Sequence, residues 1–182
     1  MLIRPLTATD AALYLPLRLR ALREHPEAFA SAFEDEQQLP LEAIVRRLQQ
    51  SSAERYSLGA FDGEELRGLL FFHRWEGLKL RHRASIGGMY VPPECRGRGI
   101  GKALLLDTIT RAHTLSGLED LILAVTVGNE WARALYLAVG FTPVAIEPRY
   151  LKIGEKYFDI EWMHLGVNRE GRNSSASERI HK

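Results

Sequence analysis

The chain has 182 residues, of which 46% are hydrophobic and 26% charged, the balance of a globular domain with a sizeable core. Its 24 lysines and arginines against 23 aspartates and glutamates leave a formal charge of +1, which favours neither nucleic acid nor a membrane surface as a partner. No apolar secretion segment and no run of about 18 apolar residues occurs, so we expect a cytoplasmic protein without a membrane span.

The N-terminal part of the chain is predicted to be mainly helical. Apolar residues at helical spacing follow Thr9, a suitable N-cap, and Pro16 is expected to kink this helix. The predicted elements of this part are a strand over 2–6, the helix after Thr9, an apolar and acidic loop after Pro26, and a helix over 41–50.

The remainder of the chain is predicted to contain most of the strands. Asp62-Gly63 is typical of a tight hairpin, and Pro92-Pro93 ends the strand that precedes it because proline cannot donate to the ladder. The apolar run over 121–127 indicates a strand buried on both faces in a parallel pairing. The predicted strands cover 55–61, 65–75, 83–91, 121–127, 141–147 and 157–165, and a helix covers 99–114.

A further helix is predicted between its N-cap Asn129 and Gly140, a suitable residue just past a helix end. Its packing face is expected to consist of Trp131, Leu135 and Ala138. This helix follows the buried strand directly, so its first turn should lie at the strand's carboxyl end.

The segment ECRGRGIGKALLL, residues 94–106, combines glycines and cations at a predicted helix start. A P-loop would require glycine at Arg96 and serine or threonine at Ala103, and a dinucleotide fingerprint would require glycine at Lys102. A turn with bare N–H groups at a helix N-terminus remains, which binds phosphate. The alternative is a glycine-rich turn whose cations face water.

Two blocks of the sequence resemble the GNAT superfamily of acyl-CoA-dependent N-acyltransferases. Residues 91–101 are similar to its signature Val-x-Pro-x-x-Arg-Gly-x-Gly-Ile-Gly, in the core Arg-x-x-Gly-x-Gly form. A second block has the spacing of the family's Asn-x-x-Ala-x-x-x-Tyr-x-x-x-Gly-Phe motif, with Asn129, Ala132, Tyr136 and Gly140-Phe141.

The resemblance implies an α/β (α+β) fold of GNAT type: a mixed, mostly antiparallel central sheet with a parallel, splayed strand pair and flanking helices. We therefore expect one acetyltransferase domain over 1–166. The polar residues 167–182, rich in small side chains, are expected to form a disordered tail.

The resemblance also implies acetyl-CoA as co-substrate and places its parts on the sequence. The pantetheine arm would lie against the main chain of Met89, Tyr90 and Val91, and Asn129 would hydrogen-bond the arm or act as a plain N-cap. The residues that would hold the pyrophosphate are Arg96, Gly97, Arg98, Gly99, Gly101 and Lys102.

Tyr136 is the residue that the resemblance identifies as the general acid at the sulfur of CoA. Reference pKa values of about 10 for a phenol and about 8.5 for a thiol differ by only about 1.5 units, so we expect this proton transfer to be favourable. The alternative is that Tyr136 merely packs. A backbone N–H near Tyr90 would stabilise the tetrahedral oxyanion.

The general base is not identified by the sequence. Many relatives carry a glutamate before the glycine-rich turn, but residues 85–89 contain no carboxylate. The candidates are the acidic loop 34–36, His73 and His82.

The acceptor side is predicted from aromatic residues. Phe29 and Phe33, with the carboxylates after them, would form a wall suited to a cationic amine, or else a solvated loop. A later aromatic set would line the same cleft or serve ordinary packing, and consists of Tyr150, Tyr157, Phe158 and Trp162.

The predicted function is acetyl-CoA-dependent N-acetyl transfer to a primary amine of a small molecule or protein, directly within a ternary complex. The sole cysteine, Cys95, has neither a base partner nor a second ligand at zinc spacing, so neither a covalent intermediate nor a metal is predicted. The alternative is a catalytically idle CoA-binding sensor or interaction module. A homodimer is left open, since members of this fold often dimerise.

Overall fold

The computed structural model describes residues 1–168, which form a seven-stranded sheet with helices on both faces. The strands are β1 (Leu2–Pro5), β2 (Arg55–Asp62), β3 (Glu65–Arg74), β4 (Arg83–Tyr90), β5 (Asp120–Thr126), β6 (Thr142–Ile153) and β7 (Lys156–Gly166). The helices are α1 (Ala11–Glu24), α2 (Phe33–Glu36), α3 (Leu41–Gln49), α4 (Ile100–His113) and α5 (Glu130–Ala138).

The strand order is β1-β2-β3-β4-β5-β7-β6, and β4 with β5 is the parallel pair in a sheet that is otherwise antiparallel. A parallel pair needs a crossover connection, which α4 provides here. The predicted mixed sheet is therefore confirmed, including the parallel pairing of the buried strand.

Two hydrophobic clusters occupy the two faces of the sheet. One cluster contains the buried residues of α4 together with Tyr136 and Phe141, and the other packs α1 and α3 against the sheet. Leu104 and Leu105 are fully buried in the first cluster, and Ala21 and Ile44 in the second. Helices therefore pack on both faces of the sheet, on either side of the gap between β4 and β5.

Helix α1 runs from Ala11 to Glu24 with Pro16 inside it, and the kink expected there stays a prediction. The side chain of Pro16 is exposed, so the carbonyl that loses its partner lies on the solvent side. One local prediction requires correction. In α5, Trp131 is 92% exposed and Ala138 is exposed as well. The packing face consists instead of Ala132, Leu135, Tyr136 and Val139.

The C-terminal end of the described chain is held against the sheet. Val167 is buried, and its N–H donates to the carbonyl of Glu119 at 2.7 Å. Asn168 donates from its side-chain amide to the carbonyl of Leu118 at 3.2 Å. The predicted tail began at Val167, and its remaining residues, 169–182, lie outside the described residues. Within residues 1–168, no helix is both long and apolar enough to cross a membrane.

Candidate active site

The parallel strands β4 and β5 separate soon after they meet. Their pairing covers three residues on each strand and ends at Ser85 opposite Ile122. Beyond this point β4 contains a β-bulge. Gly87 pairs with Phe71 and Tyr90 with Leu69, so β4 advances three residues where β3 advances two, and the extra residue bends β4. A cavity of about 620 Å³ opens in the gap and is lined by residues 86–89 of β4 and 123–126 of β5. Backbone groups on the facing edges of both strands are thus left without a strand partner.

The glycine-rich turn enters α4 beside this gap. Gly97 and Gly99 have φ angles of +74° and +77°, and a Cβ at either position would meet nothing within 4 Å. The first intrahelical bond runs from the N–H of Ala103 to the carbonyl of Gly99 at 3.0 Å. The N–H groups of residues 100–102 therefore lack intrahelical partners and lie at the positive end of the helix dipole. This is the geometry of an anion site.

The three cations of the turn differ in their surroundings. Arg98 forms an ion pair with Asp62 at 2.9 Å. Arg96 donates to the carbonyl of Val91 at 3.1 Å and lies 2.9 Å from Nε2 of His25. Lys102 is exposed and has no ion-pair partner within residues 1–168, so its charge is the most available to a phosphate.

Packing explains why residue 101 is a glycine, which the motif alone does not reveal. A Cβ at Gly101 would lie 3.0 Å from Cδ2 of Leu135 on α5 and 3.6 Å from Cε of Met89 on β4. The absence of a side chain thus lets α4 approach α5 closely. Met89 also lines the cavity, so it joins the glycine-rich turn to the gap.

Tyr90 can serve the site only through its main chain. Its side chain is buried, and the hydroxyl donates to Oε2 of Glu24 at 2.5 Å. Burial first, and then the Glu24 carboxylate, raise the pKa of Tyr90 above its ordinary value. The phenol is therefore committed to α1, which ties β4 to that helix.

Tyr136 lines the cavity from α5 and is 8% exposed. Burial raises the pKa of Tyr136 to about 12, and its hydroxyl forms no hydrogen bond within residues 1–168. A phenol at this pKa is a weaker acid than a thiol by about 3.5 units, so complete proton transfer to a thiolate is uphill by about 5 kcal/mol. The proton transfer to sulfur that the reference pKa values were expected to favour is therefore unfavourable. Tyr136 is suited to donating a hydrogen bond while keeping its proton.

Asn129 caps α5 and also faces the cavity, so it can be both an N-cap and a ligand-binding residue. Its Oδ1 accepts the N–H of Ala132 at 3.2 Å, which makes it the N-cap of α5. The same residue lines the cavity. Its side-chain NH₂ has no partner within the described chain and is free to bind a ligand carbonyl.

Of the candidate bases, Glu36 is the one that lines the cavity. It is buried and accepts hydrogen bonds from Arg18, the shortest at 2.9 Å, and Arg47 lies 3.8 Å away. Burial alone would raise the pKa of Glu36, but the hydrogen bonds and charge of Arg18, with Arg47, outweigh it and hold the pKa below its ordinary value. A carboxylate held in this way is a weak base. Neither His73 nor His82 is among the described residues that line the cavity.

The acceptor side of the cavity is only partly what the aromatic residues predicted. Phe29, Tyr150 and Trp162 line it, whereas the side chain of Phe33 stacks under Arg23 with 4.5 Å from the guanidinium carbon to the ring centroid. The other expected aromatics, Tyr157 and Phe158, are not among its lining residues.

The charge of this side was predicted with the wrong sign. Its charged lining residues, within residues 1–168, are Glu36 and three arginines that the sequence reasoning missed: Arg18, Arg47 and Arg55. The sequence did contain one indication of a buried arginine. Arg18 follows Tyr14 and Leu17 at the spacing of one helix face, and this is the face of α1 that is buried.

Residues 19–141 match the sequence pattern of the Acetyltransferase (GNAT) family. The chain belongs to the GNAT family. A GNAT-family acetyltransferase structure from Streptococcus pneumoniae is 26% identical, with a TM-score of 0.78, and the match covers 91% of this chain and 98% of that one. The protein yncA from Salmonella typhimurium, solved with its cofactor acetyl-CoA, is 19% identical with a TM-score of 0.81, covering 96% and 98%. The GNAT family and fold predicted from the motifs are confirmed.

Among curated relatives, the mycothiol acetyltransferase of Thermobispora bispora is 32% identical over 148 residues, which are 78% of this GNAT chain and 46% of that protein. The chain spans less than half the length of the mycothiol acetyltransferases that it matches. Within residues 1–168, no cluster of three or more histidine, cysteine or acidic side chains is arranged to hold a metal.

Proposed function

We propose that this chain is an acetyl-CoA-dependent N-acetyltransferase that transfers the acetyl group directly to a primary amine of a small molecule or protein within a ternary complex. The observation that carries this proposal is the cavity in the gap between β4 and β5, with Tyr136 on its wall and Met89 linking it to the glycine-rich turn. The acetyl-CoA cofactor of the Salmonella protein and the acetyltransferase names of the relatives support it. We take residues 1–166 as one acetyltransferase domain.

The residues of this chain fit acetyl-CoA. The free N–H groups of residues 97–102 and the charge of Lys102 would hold the pyrophosphate, where the glycines leave room for close approach. The unpaired edge of β4 and the amide of Asn129 would bind the pantetheine arm. Acetyl-CoA, when bound, supplies the acetyl group as an activated thioester.

The lining charges suggest how the amine becomes reactive. An ammonium ion close to three arginines and one glutamate is disfavoured, so the cavity lowers the pKa of an amine within it. The acceptor would thus bind as the neutral amine and leave its proton to solvent, without a dedicated carboxylate base. Transfer would then not require a carboxylate in residues 85–89, where the sequence has none.

Tyr136 would donate a hydrogen bond to the sulfur as negative charge develops there. Its raised pKa keeps the phenol protonated over the whole physiological range. Cys95 is 2% exposed and is not among the described residues that line the cavity, which supports direct transfer over a cysteine-bound acetyl intermediate.

The test measures binding and turnover separately. Acetyl-CoA is titrated calorimetrically, and free thiol release is then followed across a panel of primary amines, with each amine omitted in turn as the control. We expect saturable binding and amine-stimulated thiol release. Tight binding without any amine-stimulated release would refute the enzyme proposal in favour of a CoA-binding module, and absence of binding would refute both.

A further inference from the structure

The acceptor side of the cavity has an excess of positive charge. Three arginines against one glutamate leave two uncompensated positive charges among the described lining residues. Arg18 extends from α1, Arg47 from α3 and Arg55 from β2, so three separate elements supply the charge. None of these arginines belongs to the glycine-rich turn, and the excess is therefore separate from the cations expected to meet the pyrophosphate.

Arg18 is the buried member of this group, with 9% of its side chain exposed. Nη2 and Nε donate to the Glu36 carboxylate at 2.9 and 3.3 Å, and the guanidinium carbon lies 5.0 Å from the ring centroid of Phe29. Nη1 is buried and has no hydrogen-bond partner within residues 1–168. One edge of the guanidinium is thus used by Glu36, and the nitrogen on the other edge is unused.

Nη1 of Arg18 points toward the bulge of β4. A Cβ at Gly88 would lie 3.8 Å from Nη1, and both residues line the cavity. Gly88 therefore places no side chain beside Nη1 at this point of the cavity wall. A buried charged donor left unpaired is costly, so a ligand oxygen at this position would complete the site.

A carboxylate fits this position better than a larger anion. Only one nitrogen of Arg18 is unused and Phe29 covers a face of the group, so a flat, compact anion with one oxygen on Nη1 satisfies it. The carboxylate would cancel one of the two excess positive charges of the lining and would be attracted by Arg47 and Arg55 as well. We propose, building on the acetyltransferase function above, that the acceptor is a small amine that carries a carboxylate, and that Arg18 binds this carboxylate.

The test compares amino carboxylates with their carboxamides as acceptors for acetyl-CoA. Each pair presents the same amine, and rates are compared at equal concentrations of the neutral amine because the amide lowers the amine pKa. A hydrogen bond to a charged group predicts a kcat/KM for the carboxylate that is about 10- to 150-fold higher. Acetylation of carboxamides as fast as carboxylates would overturn the inference and leave the proposed function intact.

The key variant is the double substitution R18Q/E36Q, because removing Arg18 alone would leave Glu36 charged and unpaired in the interior. We expect it to lose the preference for carboxylates while retaining its Kd for acetyl-CoA. Arg47→Gln should reduce the preference, and its matched control is Arg46→Gln, an exposed neighbour on α3 outside the cavity lining. A preference unchanged in both R18Q/E36Q and Arg47→Gln would contradict the inference.

A second measurement does not depend on turnover. N-acetylated amino carboxylates and their carboxamides are titrated into the protein in the presence of CoA and followed by ligand-observed NMR. The carboxylate should bind the wild type more tightly and lose that advantage in R18Q/E36Q. If no amine of these series or of the wider panel of primary amines released thiol, the proposed function would fall, and this titration would decide the carboxylate site alone.

Discussion

Replacing Tyr136 by phenylalanine removes one hydroxyl from the wall of the cavity. That hydroxyl has no hydrogen-bond partner within residues 1–168, so the free energy of unfolding should change by less than about 0.5 kcal/mol. Toward the leaving sulfur, a hydrogen bond to a charged group is worth about 1.5–3 kcal/mol, which converts to a decrease in kcat of about 10- to 150-fold. The Kd for acetyl-CoA should stay within about threefold of the wild type, because the donor is needed only as charge develops on sulfur.

The measurement is kcat from thiol release between pH 6 and pH 9, with the Kd from calorimetry. Because the pKa of Tyr136 is about 12, the decrease should be the same throughout this range. The matched control is Tyr56→Phe, which removes a buried tyrosine hydroxyl outside the active-site cavity and should leave kcat unchanged. An undiminished kcat in the Tyr136 variant at neutral pH would refute the donor role, and a decrease confined to one end of the pH range would refute the argument from its pKa.

The remaining predictions concern binding and stability. Gly99→Glu should weaken acetyl-CoA binding at least 100-fold by calorimetry, because the new carboxylate enters the open anion site at a φ of +77°; an unchanged Kd would remove the phosphate assignment. Asp10→Asn should lower the free energy of unfolding in urea by about 2 kcal/mol at pH 7, since the hydrogen bond from Arg4 lowers the pKa of Asp10 to about 2. This depressed pKa means that the wild-type advantage is present above the unfolded-state pKa and is lost as pH falls from about 5 to about 2, so a pH-independent difference would contradict it. The exposed Asp35→Asn is its control. Trp131→Ala should change stability by less than about 0.5 kcal/mol because the side chain is 92% exposed, and a loss above about 2 kcal/mol would show that it packs.

The strands and helices were predicted well where local patterns are strong. The hairpin at Asp62-Gly63 and the parallel pairing of the strand at 121–127 are both present, and element ends differ by at most one residue in most cases. The largest difference is β6, predicted to end at residue 147 and observed to reach Ile153. Nearly all of its side chains are exposed, so no alternation of apolar and polar residues marks its full length.

The orientation of α5 shows why periodicity alone was insufficient. Leu135 can belong to either of two apolar faces of the helix. One face also contains Trp131 and Ala138, and the other contains Ala132 and Val139. Hydrophobicity alone favours the face with the tryptophan. The close approach of α4 at Gly101, where a Cβ would be 3.0 Å from Leu135, selects the second face and turns Trp131 to solvent. This is a packing constraint between elements about 30 residues apart, which no local window contains.

The amino-acid sequence by itself determined the family and the mixed sheet, because the two motifs and the apolar strand patterns are local. It also predicted an anion site, since its glycines, cations and helix start lie within a dozen residues. The same sequence also placed Tyr136 and Asn129 at the cavity by their spacing. Only the tertiary structure decided the charge of the acceptor side, since Arg18, Arg47 and Arg55 come from three elements and meet only after folding. It also decided that Glu36 is held as an ion-paired carboxylate, because Arg18 and Arg47 hold its pKa down, and that Tyr136 keeps its proton, because burial raises its pKa.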